Sequence, residues 1–112
     1  MLFRSVVTHV AYWKYAAWRR LTGEKRGAFS RKGSNWFPSP ESPTAERWRE
    51  EVALLGGYHR KLRQVIERLT DDELRHKAPG GKETLGRLVR GVAAHDLYHA
   101  GQIQLLKRLL RA

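Results

Sequence analysis

The chain has 112 residues, and 41% of them are hydrophobic, which suits one small folded domain and argues against global disorder. It has no cysteine, so disulfides, thiolate metal sites and a cysteine nucleophile are excluded. The net charge of +11 would favour polyanions such as nucleic acid or acidic membrane surfaces. The positive residues are spread along the chain, however, which favours a solvated basic surface.

The first predicted helix covers residues 2–22 and ends at Gly23. One face is marked by residues at helical spacing, namely Leu2, Val6, His9, Trp13 and Ala16 or Ala17. Arg4, His9 and Lys14 interrupt the apolar character of this segment, so it is predicted to be neither a signal peptide nor a membrane span. We therefore expect a cytoplasmic protein without a membrane partner.

A long loop is predicted over residues 23–42, with three glycines and two prolines. Loops of this length are usually functional or disordered. Trp36 and Phe37 in its middle predict that the loop folds back onto the helices, either as a lid over a site or as packing against the bundle end.

Ser42 and Pro43 predict the start of the second long helix, as a capping hydroxyl followed by proline. Its inward stripe consists of Trp48, Val52, Leu55, His59, Leu62, Ile66 and Leu69. Residues 70–73 read as a capping box that opens a short helix, and residues 78–81 close it.

The last helix is predicted to run from about Lys82 to Arg111. Its stripe consists of Leu85, Leu88, Val92, His95, His99, Ile103, Leu106 and Leu110. With no competing β pattern, the sequence predicts an all-α antiparallel helical bundle formed by residues 1–112 as a single domain.

His95 and His99 lie four residues apart on this stripe, so their imidazoles share one helix face. Two core histidines bonded to backbone carbonyls remain an alternative for the pair alone. His9 lies on the inward face of the first helix and is placed to meet the pair at mid-bundle. Burying three unpaired imidazoles is costly. A metal ion on three neutral nitrogens removes that cost and leaves positions open for water or substrate.

Other polar residues accompany the predicted metal site. His59 is a competing third or fourth ligand, unless Tyr58 takes the buried position and His59 turns outward. His76 stands between basic residues and is expected to be exposed. Asp96 is a candidate to orient a ligand ring and Gln102 to line the open side, with a helix-surface contact as the alternative for both. Three candidate pocket walls, which are alternatively core residues, are Tyr12, Trp13 and Tyr98.

The closing motif HDLYHAGQIQLLKRLL, the segment HVAYWKYAAWRRLTG around His9 and the helix order between them resemble the DinB/YfiT-like family of metal-dependent enzymes. The resemblance covers essentially the whole chain and is most specific in the closing motif. It implies a four-helix bundle that holds one divalent metal ion, most often zinc or nickel, on His9, His95 and His99. The histidine donors themselves also suit manganese or iron.

The resemblance also implies a function, because characterised relatives include thiol-dependent S-transferases and a thiol-dependent isomerase, in which the metal activates the sulfur of a low-molecular-weight thiol. We expect a metal-dependent transferase of this kind, or a hydrolase-like enzyme in which the metal activates a water. A homodimer without specific nucleic-acid binding is expected. Only eight residues precede His9, whereas the family has a long helix before the one with the first histidine. We therefore expect the first helix to be missing or replaced by a partner subunit, with an open apolar face that favours dimerisation.

Two other functions remain open at this point. One is a non-catalytic helical domain, such as an inactive remnant, in which the histidines hold a structural metal or none. The other is a basic module that binds polyanions without sequence preference through its charge of +11.

Overall fold

The computed structural model describes residues 2–23, 29, 44–78 and 80–111. These residues form four helices, which are α1 (Leu2–Thr22), α2 (Ala45–Glu67), α3 (Asp71–Leu74) and α4 (Leu85–Arg111). The described residues contain no strand, only an isolated antiparallel bridge between Lys77 and Thr84. The all-α helical bundle predicted from the sequence is confirmed.

Local capping sets several helix ends at the predicted places. The Thr70 hydroxyl accepts a hydrogen bond from the backbone N–H of Glu73 at 3.1 Å. The Glu73 carboxylate in turn accepts from the backbone N–H of Thr70 at 3.2 Å, so the predicted capping box is confirmed. α1 ends before Gly23, whose φ of 75° is a left-handed conformation that favours glycine.

The starts of α2 and α4 differ from the prediction. α2 begins at Ala45 because the Thr44 hydroxyl accepts from the backbone N–H of Arg47 at 3.1 Å, so the predicted cap at Ser42 is wrong. Ser42 and Pro43 themselves lie outside the described residues, as do Trp36 and Phe37 of the predicted loop.

In α4 the Thr84 hydroxyl accepts from the backbone N–H of Arg87 at 3.2 Å, which places the first helical residue at Leu85 instead of Lys82. α2 ends at Glu67, two residues before Leu69, which is the last residue of the predicted inward stripe. Such shifts of a few residues are usual at helix ends, where several residues compete for the cap.

α1 is the central helix of the bundle and packs against both α2 and α4. It runs antiparallel to α4, since one cavity joins Val7 to Ile103 and another joins Arg20 to Leu88. Ten of the twelve residues from Val6 to Ala17 are buried. The sequence predicted a single inward face, but the position between two helices buries nearly the whole circumference.

Cavities of about 360 and 430 Å³ lie next to each other between α2 and α4, and both are lined by Lys14, His59 and Asp96. Val52 lines the larger of the two cavities and is 45% exposed, although its place in the predicted stripe suggested burial. Leu110 is 71% exposed, because the antiparallel pairing with α1 runs out near the end of α4. Five large apolar residues are exposed along α4, namely Leu97, Tyr98, Leu105, Leu109 and Leu110.

The expected homodimer and the expected loss of a preceding helix stay predictions, as does the single-domain organisation. Among the described residues, no helix combines the length and apolar character that crossing a bilayer requires.

We predict that two glycines of α4 respond oppositely to replacement by alanine. Gly86 is buried against α3, and an added Cβ would lie 3.0 Å from the backbone oxygen of Leu74. Gly86→Ala should therefore lower the free energy of unfolding by about 1 kcal/mol or more. At Gly101 an added Cβ meets no atom within 4 Å. Gly101→Ala should gain up to about 1 kcal/mol from helix propensity. Urea unfolding measures both, and equal stabilisation would contradict the close approach at Gly86.

Candidate metal centre

Three imidazoles from two helices meet in the centre of the bundle. The Nε2 atom of His95 lies 3.2 Å from Nε2 of His9 and 3.0 Å from Nε2 of His99. His9 and His99 are buried, each 4% exposed, and His95 is half-buried. The structure thus brings together the three histidines that the sequence singled out, and their ligand atoms all lie within 4.8 Å of one another. Their role as ligands remains a prediction.

The spacing of the nitrogens suits a metal ion. With metal–nitrogen bonds of about 2.0–2.1 Å, two ligand nitrogens are separated by roughly 2.9 Å at a right angle and by roughly 3.4 Å at the tetrahedral angle. The two measured separations, 3.0 and 3.2 Å, fall between these values. These two separations therefore suit a divalent cation, and the group as a whole could hold one.

Hydrogen bonding within the group fixes the tautomer of His99. Its Nδ1 lies 2.5 Å from Oε1 of Gln102, and the amide oxygen can only accept, so Nδ1 carries the proton. Nε2 of a neutral His99 is then left with a lone pair that faces His95. The sequence suggested that Gln102 lines the open side of the site, but the structure instead places it as the partner that orients His99.

Neutral imidazoles cannot satisfy both short contacts at Nε2 of His95. If this atom carries a proton, its single N–H can point at only one of its two neighbours. If it carries a lone pair, it faces the lone pair of His99. A cation at the centre would accept all three lone pairs at once, which resolves the conflict.

The surroundings of His95 favour its neutral form. Burial lowers the pKa of His95 below its ordinary value, and the neighbouring His99 and His9 lower it further. Asp96 acts in the opposite direction, by a smaller amount. Since a metal ion competes with protons for imidazole nitrogen, a lowered pKa prepares this residue for binding near neutral pH.

A second polar cluster joins α1 to both α2 and α4. The buried ammonium of Lys14 donates to Oδ2 of Asp96 and to Nδ1 of His59, the latter at 3.2 Å. Asp96 therefore anchors Lys14 and makes no hydrogen bond to a histidine among the described residues, contrary to the role expected for it. His59 is exposed and lies outside the three-histidine group.

Sequence reasoning missed the role of Lys14, which it treated only as a charge interrupting an apolar helix. The available signal was its position beside Trp13 in a segment where nearly every other residue is apolar or aromatic. Lysine there must be paired if the helix is buried, and Asp96 was the acidic residue of α4 nearest to the predicted site. His76 is exposed as expected, with Nδ1 2.8 Å from the backbone oxygen of Asp72.

The three residues predicted to wall the pocket have different surroundings in the structure. The Trp13 ring lies 5.9 Å from that of His95 and 6.4 Å from that of His9, so it borders the site. Tyr98 touches the ring of His99 at 5.1 Å but is 65% exposed. Tyr12 packs on Phe29 at 5.4 Å.

A helical bundle with three converging histidines on its first and last long helices defines a class of candidate metal proteins with an all-imidazole donor set. Comparison with known families identifies the particular one. The family model of the DinB superfamily matches residues 3–103, and the chain belongs to this superfamily. No curated protein and no solved structure matches the chain.

The lowered pKa of His95 predicts how the stability of the metal-free protein depends on pH. Above the ordinary histidine pKa of about 6.5 both states are neutral, and the contribution to stability is complete. As pH falls from that value towards the lower folded pKa, the unfolded chain binds the proton first, so the free energy of unfolding declines. Its slope from this one group is at most about 1.4 kcal/mol per pH unit.

Urea unfolding of chelator-treated protein between pH 8 and pH 5 measures this decline, with His95→Gln as the comparison. A variant with the same pH dependence as the wild type would contradict the assignment to His95.

We also predict that Gln102→Leu weakens metal binding by about 10- to 100-fold, because it removes the acceptor that orients His99. Competition with a chromophoric chelator measures the affinity. Gln104→Leu, an exposed position on the same helix, is the matched control and should leave the affinity unchanged. Equal losses in both variants would show that Gln102 acts only through the general stability of α4.

Proposed function

We propose that this member of the DinB superfamily is a cytoplasmic metal-dependent enzyme that uses His9, His95 and His99 to bind one divalent ion. The proposed reaction class is thiol S-transfer, or hydrolysis by the same site. The observation that carries this proposal is the convergence of three imidazole ring nitrogens, which all lie within 4.8 Å of one another. Zinc and nickel are the preferred ions, with manganese and iron as alternatives, because imidazole suits all of them.

Each ligand has a distinct support within the fold. His9 is held by the burial of α1, and His99 is oriented by Gln102. His95 stands between them and is kept neutral by burial and by its two neighbours. When bound, a divalent ion supplies Lewis acidity that lowers the pKa of a coordinated thiol or water and so makes a nucleophile at neutral pH.

The histidine donor set supports catalysis rather than closed structural binding. Three neutral ligands leave at least one coordination position for a substrate atom, and they leave the positive charge of the ion undiminished. A cavity of about 410 Å³ reaches His9 and His95, so a small molecule has access to this side of the group. Trp13 on the cavity wall excludes part of the water from the reacting atoms.

The first test is the metal content of untagged protein, measured by mass spectrometry after purification and after reconstitution with zinc or nickel. We expect about one equivalent per chain, lost in His9→Ala and in the double variant His95→Ala/His99→Ala. His59→Ala and His76→Ala are matched controls, because these residues lie outside the three-histidine group, and they should retain the metal.

The control variants also decide between the alternatives. A metal content that is retained in His9→Ala but lost in His59→Ala would show that the third ligand lies on α2. A wild-type protein that takes up no metal after reconstitution would overturn the proposal. Full metal occupancy without turnover of thiols or esters would favour a structural metal in a non-catalytic domain.

A further inference from the structure

The cavity that borders His9 and His95 has a chemically distinct far end. Its near end is formed by these two imidazoles, and its walls by Trp13, Leu88, Gly91 and Val92. Two charged residues of opposite sign, Arg20 and Glu83, complete the lining. At about 410 Å³, the cavity lies within the range of ordinary small-molecule sites.

The charges are set well apart from the histidines. Arg20 follows His9 by eleven residues on α1, which is about 16 Å along the helix axis. Both side chains lean towards the N-terminus of α1, and the longer arginine reaches back further than the imidazole, so the span between them is on the order of 10–15 Å. A ligand that reaches both ends is therefore elongated, with an apolar middle beside Trp13.

Arg20 and Glu83 are not paired with each other. Both are exposed, and no ion pair joins them among the described residues. A guanidinium presents a fork that suits a carboxylate, whereas a carboxylate such as Glu83 suits an ammonium group. An anion alone would meet repulsion from Glu83, and a cation alone would meet repulsion from Arg20. A group that carries both charges is attracted by both residues when its anion lies on Arg20 and its cation on Glu83.

We propose that this cavity binds a low-molecular-weight thiol whose far end is an α-amino acid group, with its carboxylate on Arg20 and its ammonium on Glu83. The assignment rests on the proposed function, since the thiol sulfur lies at the histidine end. It adds the chemical class of the thiol and two residues that select it.

The open space above Gly91 provides a way to test occupancy of the cavity. An added Cβ at Gly91 meets no atom within 4 Å, so a side chain can be attached there without a clash at its first atom. Gly91→Leu should fill the cavity between the histidines and the charged end. Gly101→Leu is the matched control, because it makes the same change in the same helix outside this cavity, also with no atom within 4 Å.

The experiment is a titration of cobalt(II)-loaded protein with three thiols of matched length, followed by the thiolate-to-cobalt absorption. The probes are 2-amino-6-mercaptohexanoate, its analogue without the ammonium, 6-mercaptohexanoate, and its analogue without the carboxylate, 5-aminopentane-1-thiol. We expect the wild type to bind the first probe roughly tenfold more tightly than either analogue, as charge-assisted hydrogen bonds would require.

The two charge variants should each remove one half of this selectivity. Arg20→Gln should weaken the two carboxylate-bearing probes about tenfold, whereas 5-aminopentane-1-thiol, relieved of repulsion, should bind no more weakly than before. Glu83→Gln should weaken the two ammonium-bearing probes, whereas 6-mercaptohexanoate should bind no more weakly than before. Gly91→Leu should weaken all three probes, while Gly101→Leu should weaken none. Helicity by circular dichroism and cobalt content verify that each variant is folded and loaded.

The failures of this assignment and of the proposed function are distinguishable. The amino acid assignment would be wrong if the cobalt-loaded protein bound all three probes with equal affinity, or if Arg20→Gln affected all three equally. Either result would leave the metal site in place. Thiol binding that is equally tight in Gly91→Leu would show that the thiol binds in another cavity. A wild-type protein that takes up no cobalt would overturn the proposed function and this assignment with it.

Discussion

The structure depends on the need to pair the polar side chains of its central helix. α1 lies between α2 and α4, and it carries His9 and Lys14 into positions that are 4% and 5% exposed. A buried polar group without a hydrogen-bond partner costs about 2–7 kcal/mol. Both residues find their partners on α4, where His95 faces His9 and Asp96 faces Lys14. These two contacts fix how far α1 and α4 can slide or rotate against each other.

We expect the ion pair between Lys14 and Asp96, whose side chains are 6% and 35% exposed, to contribute more to the register of the helices than to net stability. Removing charges from water offsets much of the attraction between them, whereas a packing that left Lys14 buried without its partner would be costly. The Lys14 ammonium also donates to His59 on α2, so one side chain ties all three long helices together. The apolar contacts of α1 supply the driving force, and the polar contacts select the arrangement in which the three imidazoles meet.

Much of the fold was accessible from local sequence signals. The capping box at Thr70 and the end of α1 at Gly23 involve residues within one turn of each other, and both were predicted correctly. The pairing of His95 with His99 follows from the four-residue repeat of a helix. The partner of Asp96 was not predicted, because Lys14 is 82 positions away in the sequence and its burial depends on α2 and α4 together. The start of α2 was misplaced because Ser42 and Thr44 both offer a capping oxygen, and it is Thr44 that caps the helix in the structure.

The sequence by itself determined the helical class, most of the helix limits and the candidate histidines, since periodicity and capping are properties of neighbouring residues. Membership in the DinB superfamily likewise follows from the order of residues over 3–103. Only the tertiary structure decided which polar residues meet. It joined His9 to the pair on α4, turned Gln102 towards His99, and placed Arg20 and Glu83 on one cavity with the histidines. These relations depend on the mutual rotation of α1 and α4, which is fixed by burial and pairing across the bundle and has no local signature.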